Sequence, residues 1–147
     1  MIRIQTVVYP TDFSSYSNQA YFQAVGLAER YGAALAVVFV YNAAVDEQNR
    51  GKAYWEKQLA DVRPLNANIP VRHAVLEGDP ATEIVKYATE QRADAIVIGT
   101  HGRTGVDRLV MGSVAERVMR EAPCSVLVVK LPKGNRGSGV QQPPAGG

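Results

Sequence analysis

Hydrophobic and polar positions along the chain follow two different repeats. Five short apolar runs are rich in valine, isoleucine, leucine and alanine, and glycine, proline or polar residues separate them. Continuous apolar runs of this length are typical of strands that are buried on both faces of a parallel sheet. The predicted strands cover residues 2–9, 34–41, 71–76, 95–99 and 125–130.

Between these strands, apolar residues recur every three or four positions, which is the spacing of one helix face. Helices are predicted over residues 16–31, over 51–63, from residue 80 onwards, and from the 112–113 pair to about residue 121, with a polar loop over 42–49. The residues expected to face the core are Ala20, Ala24, Leu27, Ala28 and Tyr31; Trp55, Leu59 and Val62; Ala81, Ile84, Val85 and Ala88; and Val114, Ala115, Val118 and Met119.

Residues that favour helix starts stand in front of three of these helices. Asp79 is predicted to cap the third helix, with Pro80 in its first position. Ser113 is predicted to be the N-cap of the fourth helix. The residues that offer caps for the first helix are Ser14, Ser15 and Ser17.

The alternation of strands and helices predicts one α/β domain, a doubly wound parallel sheet with helices on both faces. A chain of 147 residues is long enough for a sizeable core. The domain is expected to cover residues 1–130. Residues 131–147 are rich in glycine and proline without periodicity, and we expect them to form a disordered tail.

Composition is that of an ordinary globular protein, with 46% hydrophobic and 20% charged residues. The longest apolar run, residues 33–41, is too short to span a bilayer, and polar residues follow the N-terminus too soon for a signal peptide. The single cysteine, Cys124, excludes an internal disulfide and fits a reducing compartment. We therefore expect a cytoplasmic protein without a membrane partner.

The net charge of +2 depends on the C-terminal stretch. Lys130, Lys133 and Arg136 lie there without any acidic residue, and subtracting these three charges from +2 leaves −1. The domain therefore has no basic field of the kind that binds nucleic acid.

The most unusual chemistry lies within residues 95–118. A buried strand ends at Gly99, a loop carries Gly102 and Gly105, and the pair Gly112-Ser113 precedes a helix. Glycine lets backbone N–H groups approach a phosphate, and the first turn of a helix has N–H groups without intrahelical partners. The segment therefore predicts an anion cradle. The alternative is a turn that uses glycine only for its positive φ.

The glycine spacing excludes two common phosphate loops. No lysine precedes Ser113, as a Walker A loop requires, and the first three glycines do not have the GxGxxG spacing. Gly99, two residues, Gly102, nine residues and Gly112-Ser113 resemble the nucleotide signature of the universal stress protein family, in its ATP-binding branch. The segments PTDFS (10–14), GDPATEIVKYA (78–88) and PCSVLVVK (123–130) resemble the same family, so the resemblance covers residues 1–130.

The resemblance implies an adenine-nucleotide α-hydrolase-like sheet with strand order 3-2-1-4-5 and a ligand crevice between strands one and four. It implies ATP as the ligand, with any Mg²⁺ held by the phosphates. Asp12 would contact the sugar or base, Pro10 and Thr11 would line the adenine pocket, and Val40 would flank the adenine. The full set expected to bind the nucleotide is Pro10, Thr11, Asp12, Val40, Gly99, His101, Gly102, Arg103, Gly112, Ser113 and Val114.

Structural alternatives stay open for some of these residues. Asp12 could simply cap the first helix, and Val40 could be a core valine. Many family members carry a histidine where Phe39-Val40-Tyr41 stands here. The segment between strand two and helix two is also short, which predicts a more open adenine side.

The predicted function is that of a stress-response, ATP-binding regulatory module. His101 and Arg103 lie in the glycine loop and could contact phosphate, but neither has an evident partnered base. The alternatives are a slow ATPase at the same site and a nucleotide-independent stress scaffold. With only two histidines and no HxxxH or CxxC, the chain offers no metal cluster.

The last strand is expected to form a homodimer contact. The resemblance implies pairing of two chains through this strand, from Ser125 to Val129. An apolar edge strand would otherwise present unpaired backbone groups to solvent.

Overall fold

A five-stranded sheet forms the centre of the computed structural model, which describes residues 2–100 and 112–130. The elements in chain order are β1 (Thr6–Pro10), α1 (Ser15–Tyr31), β2 (Ala34–Tyr41), a short 3₁₀ turn (Ala43–Val45), α2 (Lys52–Ala60), β3 (Val71–Glu77), α3 (Pro80–Glu90), β4 (Ala95–Gly99), α4 (Ser113–Glu121) and β5 (Ser125–Val129). The strand order is β3-β2-β1-β4-β5, and each neighbouring pair is parallel. This order confirms the predicted fold class.

The sheet separates two hydrophobic cores. Along β1, Val7 and Tyr9 belong to one core and Val8 belongs to the other, because successive side chains of a strand point to opposite faces. Helices α1 and α2 cover the first face, and helices α3 and α4 cover the second. Both faces of the central strands β1, β2 and β4 are therefore buried, which explains why β2 and β4 are continuous apolar runs.

Two of the three predicted helix caps are confirmed. The Ser14 side chain accepts a hydrogen bond from the Ser17 N–H at 3.2 Å, and the Asp79 side chain accepts one from the Thr82 N–H at 3.0 Å. The prediction for α4 was wrong, because Gly112 rather than Ser113 is the N-cap residue. Gly112 has extended backbone angles (φ −66°, ψ 155°), so Ser113 already lies in the first helical turn.

Two predicted core positions are wrong. Tyr31 is 40% exposed and Met119 is 49% exposed, although both fit the helical spacing. Tyr31 is the last residue of α1. Met119 follows Val118, and the fully buried Val118 packs into the core in its place. The buried stripes of these two helices are therefore narrower than the apolar pattern predicts.

Element ends differ most around α2 and β1. The second helix begins at Lys52 and ends at Ala60, three residues before its predicted end. Gly51 has a φ of 84°, which stops the helix from starting there. The first strand begins at Thr6, four residues later than predicted, where pairing with Ala34 starts.

None of the helices within the described residues is long and apolar enough to cross a membrane. The segment predicted to be a tail, residues 131–147, lies outside the described residues.

Candidate functional site

A cavity of about 760 Å³ opens beyond the carboxyl ends of β1, β2 and β4. β1 and β4 are neighbours, yet the helices that follow them, α1 and α4, cover opposite faces of the sheet. The cavity therefore lies at the point where the chain reverses its direction of winding, which is where open α/β sheets bind ligands.

Eight of the eleven predicted site residues line this one cavity. They are Pro10, Thr11, Asp12, Val40, Gly99, Gly112, Ser113 and Val114. The other three, His101, Gly102 and Arg103, lie outside the described residues. The structure thus brings together the loop after β1, the end of β2 and the start of α4, and nucleotide contact by these residues stays a prediction.

The loop after β1 is fixed by buried hydroxyl groups. The Thr11 N–H donates to the Val38 carbonyl at 2.8 Å, and the hydroxyls of Thr11 and Ser17 lie 3.1 Å apart. Thr11 and Ser17 are only 6% and 5% exposed, so these bonds form in a region that excludes water. The Tyr9 hydroxyl donates to the Ser17 carbonyl at 2.7 Å, and burial raises the pKa of this tyrosine. Three buried hydrogen bonds therefore hold the wall of the cavity in place at this point.

Asp12 is not the cap of α1, since Ser14 has that role. Its carboxylate accepts a hydrogen bond from the Ser14 N–H at 3.0 Å and lines the cavity. The next residue, Phe13, has a φ of 65°, which is uncommon for a residue other than glycine. The turn therefore holds an acidic group at the cavity wall without using it to start the helix.

The start of α4 forms the opposite end of the cavity. The Gly112 N–H donates to the Thr100 carbonyl at 2.6 Å, and the Thr100 N–H donates to the Val129 carbonyl at 3.0 Å. The N–H groups of the first helical turn, Ser113 to Ala115, have no intrahelical acceptor and carry the positive end of the helix dipole. This end of the cavity therefore favours an anion. The hydrogen-bond donors available to it are the N–H groups that follow Gly112, because the Gly112 N–H is already bonded to Thr100.

The segment between β2 and α2 forms a third wall, which sequence reasoning missed. Its lining residues include Val45, Asp46, Glu47, Gln48 and Arg50. The segment was predicted to be a loop that leaves the adenine side open, yet it contributes directly to the cavity. Nothing in its local pattern predicts this placement, because it depends on contacts with β2 and α2.

Asp46 holds this segment in place. Its carboxylate accepts hydrogen bonds from the Gly51 N–H at 2.8 Å and from the Tyr41 hydroxyl at 3.4 Å. The bond from Gly51, more than any other contact, keeps the pKa of Asp46 below its usual value. The ionised carboxylate therefore ties the segment to the start of α2 and to the end of β2.

An aromatic cluster supports the same wall from the core. The Trp55 ring centroid lies 4.9 Å from that of Phe39 and 5.4 Å from that of Phe13. The Arg50 guanidinium lies 4.8 Å from the centroid of Tyr54 and 5.8 Å from that of Trp55, within range of cation–π attraction. Phe39 and Trp55 both line the cavity, so this wall is apolar at its base.

Charge is unevenly distributed around the cavity. Among the described lining residues, Asp12, Asp46 and Glu47 are acidic and Arg50 is the one cation. Two of the three acids belong to the segment after β2. In the sheet, β2 lies on one side of β1, and β4, which leads to α4, lies on the other. The acidic side therefore suits groups that donate hydrogen bonds, and the α4 side suits an anion.

The strand order and the helices on both faces define an adenine-nucleotide α-hydrolase-like fold. The sequence model of the universal stress protein family matches residues 3–130. A universal stress protein of Methanocaldococcus jannaschii is 36% identical over 140 residues, which cover 86% of this chain and 82% of the relative. The chain therefore belongs to the universal stress protein family.

Two solved structures of similar fold contain adenine nucleotides. A universal stress protein in complex with cAMP has a TM-score of 0.64 and 26% identity, covering 87% of this chain and 98% of the other. A universal stress protein from Archaeoglobus fulgidus in complex with dAMP has a TM-score of 0.64 and 25% identity, covering 88% of this chain and 100% of the other.

Proposed function

We propose that this protein binds ATP in the cavity beyond β1, β2 and β4 and acts as a nucleotide-dependent regulatory module in the stress response. The observation that carries the proposal is the uneven charge of the cavity, which has an anion-favouring helix start at one end and carboxylates at the other. Membership of the universal stress protein family and the adenine nucleotides bound by two similar structures support it.

This polarity gives the proposed ligand a direction. The phosphates lie at the first turn of α4, where backbone N–H groups of Ser113 to Ala115 donate to them. Asp12 accepts hydrogen bonds from the ribose hydroxyls, and Pro10 and Val40 contact the adenine. His101, Gly102 and Arg103 complete the phosphate end in the proposal.

Any Mg²⁺ in the proposal is held by the nucleotide phosphates. Within residues 2–100 and 112–130, no three His, Cys, Asp or Glu side chains are grouped closely enough to hold a metal ion. Phosphate oxygens are the ligands that usually bind Mg²⁺ together with one or two carboxylates.

Ser113 offers a sharp test of the phosphate end. Proline is well tolerated in the first helical position, where Pro80 already starts α3, and the extended backbone of Gly112 suits a residue that precedes proline. Ser113→Pro therefore removes one backbone N–H and the hydroxyl with little effect on the helix. Ser113→Ala is the matched control, since it removes the hydroxyl alone.

Calorimetric titrations with ATP and with adenosine give the readout. The wild type is expected to bind both ligands, and Ser113→Pro to lose about tenfold in ATP affinity with unchanged adenosine affinity, because a hydrogen bond to a charged group is lost. Ser113→Ala should remain close to the wild type. A wild type that binds no ATP would overturn the proposed function, whereas equal affinities of the two variants would show that the Ser113 N–H does not donate to phosphate.

Single-turnover measurements with excess protein distinguish a binding module from a slow ATPase. We expect bound ATP to remain intact, because hydrolysis needs a group that orients water and a charge clamp on the γ-phosphate. ATP cleavage that is abolished by His101→Ala would support the enzyme instead. Full stress function of a variant that no longer binds ATP would support the scaffold.

A further inference from the structure

An arginine in the middle of α4 contacts the start of α3, which covers the same face of the sheet. The Arg117 guanidinium donates through Nη1 to Oδ2 of Asp79 at 2.7 Å and through Nη2 to Oγ1 of Thr82 at 3.0 Å. Nη2 also lies 3.6 Å from a carboxylate oxygen of Glu121, one turn further along α4. One side chain of α4 therefore contacts the cap and the first turn of α3.

Asp79 and Thr82 are already joined to each other. Oδ2 of Asp79 accepts hydrogen bonds from the Thr82 N–H at 3.0 Å and from the Thr82 hydroxyl at 2.7 Å. The Thr82 bonds and the adjacent Arg117 keep the pKa of Asp79 below its usual value. Arg117 thus binds a preformed cap rather than a mobile carboxylate, which lowers the entropy lost in the contact.

Both helices line the cavity next to this contact. Pro80 and Ile84 of α3 and Ser113 and Val114 of α4 are cavity-lining residues. Arg117 follows Ser113 by four positions, so the two side chains lie on the same face of α4, one turn apart. A movement of α4 against α3 would displace the first-turn N–H groups of α4 within the cavity wall.

We infer that Arg117 is a positioning residue, which fixes the start of α4 against the cap of α3 and so aligns the backbone N–H groups that receive the ligand's phosphates. The inference rests on the proposed function. It concerns side chains outside the cavity, since neither Arg117 nor Asp79 lines it.

An ordinary surface ion pair would not have this effect. Arg117 and Asp79 are 36% and 54% exposed at their side chains, and exposed pairs contribute little to stability. We infer instead that the pair affects only the part of the ligand affinity that comes from the phosphates. The expected signature is a loss that depends on phosphate and leaves the nucleoside unaffected.

The chain offers a matched control on the same helix. Arg120 forms an exposed pair with Glu116 of the same helix, at 3.7 Å. Arg117→Gln and Arg120→Gln remove the same charge from the same helix, so a general loss of positive potential affects both variants. We expect Arg117→Gln to lower ATP affinity about tenfold, as calorimetry measures it, with unchanged adenosine affinity. Arg120→Gln should match the wild type for both ligands.

A change at Asp79 separates positioning from direct contact between Arg117 and phosphate. Asp79→Asn keeps an acceptor for the Thr82 N–H and removes the charge that holds Arg117. It should lower ATP affinity as Arg117→Gln does, and the double variant should be no weaker than either single variant. Thermal unfolding of each variant verifies that α3 and α4 remain folded.

Four outcomes would overturn the inference. Equal ATP affinities of Arg117→Gln and Arg120→Gln would assign the effect to charge alone. Wild-type affinity in Asp79→Asn, with a loss in Arg117→Gln, would show that Arg117 contacts phosphate itself. Parallel losses of ATP and adenosine affinity would indicate general damage. A wild type that binds adenosine but not ATP would overturn the phosphate end of the proposed function, and this inference with it.

Discussion

Single carboxylates decide how the cavity is built, and they do so in different ways. Asp46 binds a glycine N–H and a tyrosine hydroxyl, Asp79 caps α3, and Asp12 stands at the cavity wall next to a cap that another residue supplies. The pKa values of Asp46 and Asp79 are lowered by these bonds. Substitutions of Asp46 and Asp12 therefore have different expected effects.

Asp46 should make stability depend on pH in the acid range. Because its pKa is lower in the folded protein than in the unfolded chain, it stabilises the fold above the unfolded value of about 3.9, and this contribution is lost as pH falls through the folded pKa. Urea unfolding of the wild type and of Asp46→Asn should therefore differ near neutral pH and converge under acid conditions. A difference that stays constant with pH would contradict this role.

Asp12 should contribute to nucleotide affinity without supporting α1. We expect Asp12→Ala to weaken ATP and adenosine binding about tenfold, because a hydrogen bond from ribose to a charged acceptor is lost. Calorimetry measures the affinities, and circular dichroism should show unchanged helix content, since Ser14 caps α1. Glu56→Ala, which removes a charge from the exposed face of α2, is the control. Equal affinities in the two variants would exclude Asp12 from the site.

At the scale of whole elements, the pattern of the chain predicts most of the fold and two of the three regions that surround the cavity, the loop after β1 and the start of α4. β2 and β4 have their predicted bounds, because their apolar runs end at residues that cannot continue a buried strand. The loop after β1 and the start of α4 line the cavity as predicted, because proline, serine and glycine mark these positions in the local sequence. The wall after β2 was missed, because Asp46, Tyr41 and Gly51 meet only through the folded backbone.

Gly51, at the end of that segment, should be difficult to replace. Its φ of 84° with ψ of 166° lies in a region that is essentially restricted to glycine, although an added Cβ would meet no atom within 4 Å. Gly51→Ala should therefore destabilise the protein by about 1–3 kcal/mol through backbone strain alone.

A matched change inside α1 should have the opposite sign. Gly26 lies in the interior of α1 and also has open space around an added Cβ, so Gly26→Ala should stabilise the protein by about 0.5–1 kcal/mol. Urea unfolding of the two variants measures both effects. Equal stabilities would mean that the strain assigned to Gly51 is relieved by local movement.

At the scale of the whole molecule, the sheet has two edge strands. β3 forms one edge and β5 forms the other. β5 is an apolar strand, and its Leu127 is 43% exposed. Its neighbours Val126, Val128 and Val129 are half-buried. An edge of this kind invites pairing with a second strand.

We predict a homodimer through β5. Light scattering should give about twice the chain mass of 15.9 kDa for the wild type, and Leu127→Lys should shift the protein to the monomer, because a charge would enter the paired edge. Leu65→Lys, at an exposed leucine in the connection before β3, is the control and should leave the dimer intact. A monomeric wild type at micromolar concentration would contradict the prediction.

The aromatic wall of the cavity has a practical consequence. Trp55 is the only tryptophan in the chain, it lines the cavity, and Arg50 lies over its ring. The tryptophan fluorescence of the protein therefore comes from the cavity wall. A ligand that binds beside Trp55 should change the emission, because it alters the polarity around the indole ring. The protein carries its own optical reporter, so ligand entry can be followed in rapid-mixing experiments without a label.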